Sequence, residues 1–261
     1  MIKSRIAIFI SSLVCLSIPV HADDDMFSDG LDPQKPINVQ VQLCSLNPSK
    51  TITQYNRNNA KYFAWAKKNN VEVTVVRSTP LFTHADGSSE PGYDFFELLP
   101  SDFETSGKAW DLWMSSEEGK KLNAEWQSIA TCEVKMASLF TQWANVGALN
   151  TDDNRITTWN WCTRKDGVSA EQLTAKHRSI AAEFDKGIGN IGWFTFYPTI
   201  GGGSAPGEFA NVVVYPDMVG LMKHQQWFSE GGWKTRQDYY NYVDCQGDTA
   251  NTEEVRNRPG V

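Results

Sequence analysis

The chain is 261 residues long, with 31 acidic against 24 basic side chains and a net charge of −7. An acidic balance argues against nucleic acid or an anionic membrane surface as a partner, and the length suffices for one large domain or two small ones with a proper core. Lys3 and Arg5 precede an apolar run from Ile6 to Val20, and Val20-His21-Ala22 suits a signal-peptidase cut before Asp23. Residues 1–22 are therefore expected to be a signal peptide, and the rest to be exported to the periplasm or beyond the cell. A lipid anchor on Cys15 is the rival reading, for which Val14 is a poor neighbour. The cut removes two positive charges and no negative ones, leaving 239 residues with a net charge of −9. No later segment approaches the roughly 20 continuous apolar residues of a membrane helix, so the mature chain is expected to be soluble. An acidic leader follows over 23–36, too poor in apolar residues to fold alone.

From there the chain is written twice. Aligned on Cys44 and Cys162, each half has a capping box seven residues later, Thr51-Ile-Thr-Gln54 and Ser169-Ala-Glu-Gln172, and each box predicts the start of a helix. The first helix is expected to run to about Lys68 and the second to about Lys186. Pro80 and Pro198 stand 36 residues after the cysteines and close the β-rich runs "VEVTVVRST" and "IGWFTFY". Polar loops ending in Pro91-Gly92 and Pro206-Gly207 lead to the strands "YDFFELL" and "FANVVVY", which stop at Pro100 and Pro216 before second helices. Those helices carry Trp113 with Ser115 and Trp227 with Ser229, and each half ends on a strand through its last cysteine, "SIATCEV" and "NYVDCQG". The order is β-α-β-β-α-β in both. Residues 37–143 form the first repeat and 154–247 the second, separated by the linker "ANVGALNTDD" (144–153) and followed by a polar tail (248–261) expected not to fold alone.

That order defines the ferredoxin-like unit, a four-stranded antiparallel sheet with two helices on one face. The open face of such a sheet needs a cover, which a second copy supplies. Two units packed sheet to sheet resemble the dimeric α/β-barrel family, here as an intramolecular pair. The resemblance spans residues 37–247 and rests on element order, size and the Trp-x-Ser pattern of the second helices. It implies an α+β fold and a monomer that needs no second chain. First and last strands are neighbours in this unit, so Cys44 is expected to pair with Cys132, and Cys162 with Cys245; free buried thiols are the alternative.

The second repeat is the more aromatic one. Trp159 and Trp161 replace Val41 and Leu43 of the first strand, and "GWFTFY" replaces "TVVRST" in the second. Alternation puts Trp193 and Tyr197 on one face, opposite Phe194 and Phe196. These rings fill either the core or an apolar pocket between sheet and helices, where the family resemblance places ligands. The residues expected to line such a pocket are Trp159, Asn160, Trp193, Tyr197, Asn211, His224 and Trp227, the two asparagines as groups that orient a carbonyl or bond a backbone edge. His224 flanks an apolar stripe of Met218, Leu221, Met222 and Phe228. The resemblance extends to chlorite dismutases and their haem-handling relatives, some of which use a histidine on a helix of the second repeat as axial ligand. It extends also to cofactor-independent monooxygenases with Asn, Trp or His in the cleft.

Other motifs carry less. His84, Asp86 and His177 show no metal spacing with one another, and "IGGGSAPG" lacks the lysine and strand-to-helix setting of a phosphate loop, so it reads as a strand connection. Neither G-x-S-x-G nor Cys-x-x-Cys occurs. The expected function is the binding of a small apolar or aromatic molecule in the second repeat, with no cofactor, no metal, no nucleic acid and no membrane. The alternatives are an oxygenase-like or haem-dependent enzyme using the same cleft, and a structural or interaction module without a ligand.

Overall fold

The structure, a computed structural model, describes residues 35–83, 92–184 and 186–258. The expected signal peptide, Cys15, most of the acidic leader, His84 and Asp86 lie outside the described residues.

The first repeat folds as β1 (Ile37–Leu46), α1 (Ile52–Lys68), β2 (Val75–Phe82), β3 (Phe95–Ser101), α2 (Phe103–Ser115), α3 (Glu117–Ile129) and β4 (Ala130–Ala144). A short helix α4 (Val146–Thr151) leads to β5 (Asn154–Arg164), α5 (Ala170–Phe184), β6 (Gly192–Pro198), β7 (Phe209–Tyr215), α6 (Met218–Trp227), α7 (Trp233–Tyr239) and β8 (Val243–Asn257). Both capping boxes form. The Gln54 N–H donates to Thr51 Oγ1 at 3.3 Å and the Thr51 N–H to Gln54 Oε1 at 2.9 Å, and Ser169 and Gln172 exchange bonds of 3.2 and 2.7 Å in the same way. The second helix of each unit is broken. Ser116 adopts extended backbone and restarts the helix as a cap, its Oγ accepting from the Gly119 N–H. In the second unit a wide π turn, Phe228–Gly232, separates α6 from α7.

Each unit makes the antiparallel sheet expected of it, β4-β1-β3-β2 in the first and β8-β5-β7-β6 in the second, and the two join through β2 to β8 and β4 to β6 into one closed eight-stranded barrel. Cys44 lies opposite Cys132, and Cys162 opposite Cys245, and both pairs are disulfide-bonded as expected.

One of the two joins, β2 to β8, depends on strand length expected to lie outside the repeats. β4 pairs with β1 over Ala130–Leu139 and then with β6 over Ala137–Ala144, while β8 pairs with β5 and, over Ala250–Asn257, with β2. The tail assigned to 248–261 is therefore strand as far as Asn257, and residues 146–151 of the linker are helix. The tail looked polar because, beside the small Ala250, its buried positions are Asn251 and Glu253, and Glu253 faces Arg155 across the sheet at 3.3 Å. A strand that buries an ion pair gives no apolar alternation to read.

Val39, Val41, Phe96, Trp159, Phe194 and Phe196 fill the barrel. On the outside of the second sheet, Leu173, Phe184, Trp193, Phe209 and Tyr239 pack beneath α5 to α7. Trp193 and Phe194 thus go to opposite faces, as alternation requires.

Candidate functional site

The outer face of the second sheet and the underside of α6 enclose a cavity of about 100 Å³. Alternation along β5 turns Asn160 outward into it; β6 contributes Trp193, β7 contributes Asn211, and one turn of α6 presents His224 and Trp227 together. Two glycines set how closely these pieces approach. A Cβ on Gly232 would lie 2.5 Å from the Trp227 indole, so the bare backbone of the π turn lets that ring fold back over the chain. Gly189, at φ +104°, has its backbone against the Gly220 carbonyl, where a Cβ would come within 2.3 Å.

His224 is only 5% exposed. Its ring is surrounded by Phe228 at 4.7 Å, Tyr215 and Trp227 at 5.4 Å and Phe184 at 6.2 Å between centroids, and its Nδ1 has no hydrogen-bond partner. Burial lowers its pKa to about 4; the Asp248 carboxylate opposes that shift and the Arg236 guanidinium reinforces it. Arg236 is itself occupied, its Nη2 donating to Asp248 Oδ2 at 2.6 Å and its Nε to the Tyr240 hydroxyl at 2.9 Å. His224 is therefore a neutral imidazole at pH 7, a weak base in an aromatic wall.

A buried polar chain runs through the cavity wall to His177 behind it. Trp193 Nε1 donates to Asn211 Oδ1 at 3.1 Å, Asn211 Nδ2 donates to the Tyr239 hydroxyl at 3.1 Å, and that hydroxyl meets His177 Nε2 at 2.9 Å. Burial likewise lowers the His177 pKa to about 4. The first unit has its own hub at the matching place. Glu97 sits two residues beyond Phe95, the partner of Cys44, just as Asn211 sits two beyond Phe209, the partner of Cys162. Glu97 accepts from the Tyr55 hydroxyl, from Asn59 and twice from Arg77, at 2.7 to 3.0 Å.

Five of the seven residues singled out from the sequence, Asn160, Trp193, Asn211, His224 and Trp227, meet around this cavity. Trp159 does not: it points into the barrel, edge-on to Phe96 and Phe196, because neighbours in a strand face opposite ways and Asn160 takes the outer side. Tyr197 is on the outer face but stacks on Phe209, away from the cavity lining. Asn160 Oδ1 accepts from the Gly247 N–H at 3.0 Å, the backbone-bonding role weighed for it. His224, which flanks the apolar stripe of its helix, is enclosed. Tyr215, Phe228, Arg236 and Tyr239 also line the cavity and were not singled out.

Haem is the cofactor that the family resemblance brings with it. His224 has the unpartnered nitrogen that an axial ligand needs, but four aromatic rings enclose it. The cavity of about 100 Å³ falls well below the roughly 300–1,000 Å³ of pockets for drug-sized molecules. As folded, the site does not accommodate a porphyrin. Among the described residues no group of three His, Cys, Asp or Glu side chains is placed to hold a metal ion.

No family model matches the chain, and no curated protein matches it. Solved structures do. A protein provisionally named a monooxygenase from Fusobacterium nucleatum superposes with a TM-score of 0.52 at 12% identity, over 86% of this chain and 94% of that one. An anthrone oxidase-like protein gives 0.51 at 10% identity, over 86% and 93%. A provisionally named chlorite dismutase gives 0.48 at 12% identity, over 85% and 95%. With the closed barrel and its two ferredoxin-like units, the chain has the dimeric α/β-barrel fold, carried as a tandem repeat in one polypeptide.

Proposed function

We propose that this chain is exported and binds a small apolar or aromatic molecule in the cavity of its second unit. The observation that carries the reading is His224, a buried neutral imidazole whose Nδ1 has no partner in a wall of aromatic rings. An unpartnered buried polar atom costs about 1–3 kcal/mol, a cost that a ligand with one hydrogen-bonding group would offset. About 100 Å³ of space limits the ligand to no more than a single ring, since even a dry cavity of about 150 Å³ takes benzene. Two disulfides support export, because such bonds persist in oxidising compartments. Among the described residues no helix is long and apolar enough to cross a membrane.

The fold shared with a provisionally named monooxygenase and an anthrone oxidase-like protein supports a second reading, an oxygenase-type reaction in the same cleft. There His224, with a pKa of about 4, would orient a substrate oxygen rather than take up its proton. The experiment for the first reading is native mass spectrometry of the protein purified from its own cells, beside His224→Phe. A small-molecule adduct on the wild type that the variant lacks is the expected result. Bare protein in both, together with no saturable response to any single-ring compound, would leave only a structural module. Dioxygen consumption with the bound compound tests the enzyme reading.

A further inference from the structure

We propose that the first unit holds a second, separate ligand site, for a neutral single-ring molecule carrying a hydrogen-bond-accepting oxygen. The outer face of the first sheet and the helices α1 and α2 enclose a cavity of about 90 Å³. It occupies the place that the second unit gives to its own cavity. Gln40, four residues before Cys44, matches Thr158, four before Cys162, and Trp110, three residues before Trp113, matches His224, three before Trp227. The chemistry of the walls differs.

Three aromatic rings supply flat faces: Trp65 and Trp113 meet edge to face at 5.1 Å, and Tyr62 touches both, at 5.9 and 5.6 Å. Trp110 Nε1 donates to Gln40 Oε1 at 2.8 Å, which pins the α2 side of the wall to β1. Val75 stands where the second unit has Trp193, so no indole from the sheet fills the space. Asn58, on α1, lines the cavity, is 4% exposed, and its Nδ2 has no partner. That amide is a donor held without an acceptor, so the molecule it suits brings an oxygen.

The site offers no positive charge and no buried carboxylate that is free. Glu97 lines the cavity, but its carboxylate already accepts four hydrogen bonds, two of them from Arg77. Glu72, exposed, is a further acidic group in the lining. An anion would lose its hydration for no countercharge, and a cation would meet only the exposed, solvent-screened Glu72 unless it disrupted the Arg77–Glu97 pair. Ring faces, one free donor and no free buried charge together define the ligand class.

The test is an NMR titration of the full mature chain with phenol, toluene and benzoate, read at the indole Nε1–H signals. Phenol should shift Trp110 and Trp113 saturably, toluene should bind the same place more weakly, and benzoate should leave both signals unmoved. Asn58→Leu removes the donor at similar volume and should weaken phenol about threefold to tenfold, the worth of one net hydrogen bond, while leaving toluene unchanged. If that variant does not fold, Ala109→Phe, which fills the cavity from α2, should abolish the Trp110 and Trp113 shifts. Equal affinity for phenol and toluene, binding of benzoate, or an unaltered phenol affinity in Asn58→Leu overturns the proposal. So does a response confined to Trp193 and Trp227, which would leave only the second-unit site.

Discussion

Acid should weaken this protein through two named histidines. His177 and His224 are 3% and 5% exposed, and burial lowers the pKa of each to about 4. In the unfolded chain each returns to about 6.5. Because the folded pKa lies below the unfolded one, the unfolded chain binds protons first as pH falls. Stability is fully present above pH 6.5 and is lost as pH drops toward 4. Between pH 7 and pH 5 the loss comes to about 2 kcal/mol for each histidine. Glu253, whose carboxyl burial pushes up, acts with the opposite sign, gaining stability as pH falls. Comparison of variants with the wild type cancels that contribution. Urea unfolding at both pH values should therefore show the wild type losing about 2 kcal/mol more than His224→Phe, and about 4 more than His224→Phe combined with His177→Gln. A His224→Phe protein that keeps the full wild-type pH dependence would mean that His224 is hydrated or partnered in the fold, and the account of the cavity would fail with it.

Glu97→Ala leaves the Arg77 guanidinium buried without its carboxylate and should cost about 3–5 kcal/mol in chemical denaturation. Peptide mapping without reduction should find Cys44 linked to Cys132 and Cys162 to Cys245; replacing either pair, which closes 88 or 83 residues of chain, should cost roughly 4 kcal/mol on the chain-entropy model. Because the barrel closes within one polypeptide, the mature protein should sediment as a monomer, and an obligate dimer would show that it needs a further partner surface.

The signals that revealed the repeat are local ones. A capping box, a proline at a strand end and a cysteine at a fixed offset each act within a few residues, so they survive as sequence even where the two halves share little else. Alternation likewise sorted Trp193 from Phe194. It also held the answer that Trp159 and Asn160 cannot share a cavity, since adjacent strand residues face opposite sides. Tyr197 has the correct face but lies four residues along the strand from Trp193, a displacement of about 13 Å. His177 carried no local signal. Its meaning comes from Tyr239, 62 residues away, and from Asn211 beyond that. The end of β8 was hidden because its buried face is built from Asn251 and Glu253 rather than apolar residues.

The two hubs show what divergence of the repeats has changed. In the first unit Arg77 stands opposite Glu97 on the sheet, and Asn59 completes the carboxylate's shell. In the second, Thr195 stands opposite Asn211, and His177 occupies the place of Asn59, fifteen residues after the cysteine. An ion pair has been exchanged for neutral amide, phenol and imidazole groups. The second hub therefore carries no buried charge at pH 7, and its imidazole is held far from protonation. On acidification, His177 and His224 must both gain a proton beneath α5 and α6, whereas Asn59 and Trp110 at the matching positions of the first unit have no proton to gain. The loss of stability should fall on one half of the barrel. Native-state hydrogen exchange at pH 7 and pH 5 reads this directly: amides of α5, α6 and β7 should lose protection, while those of α1, α2 and β3 keep theirs, normalised for the intrinsic pH dependence of exchange. Equal loss in both units would show that the barrel opens only as a whole, and that the two histidines act on its global stability rather than on the unit that contains them.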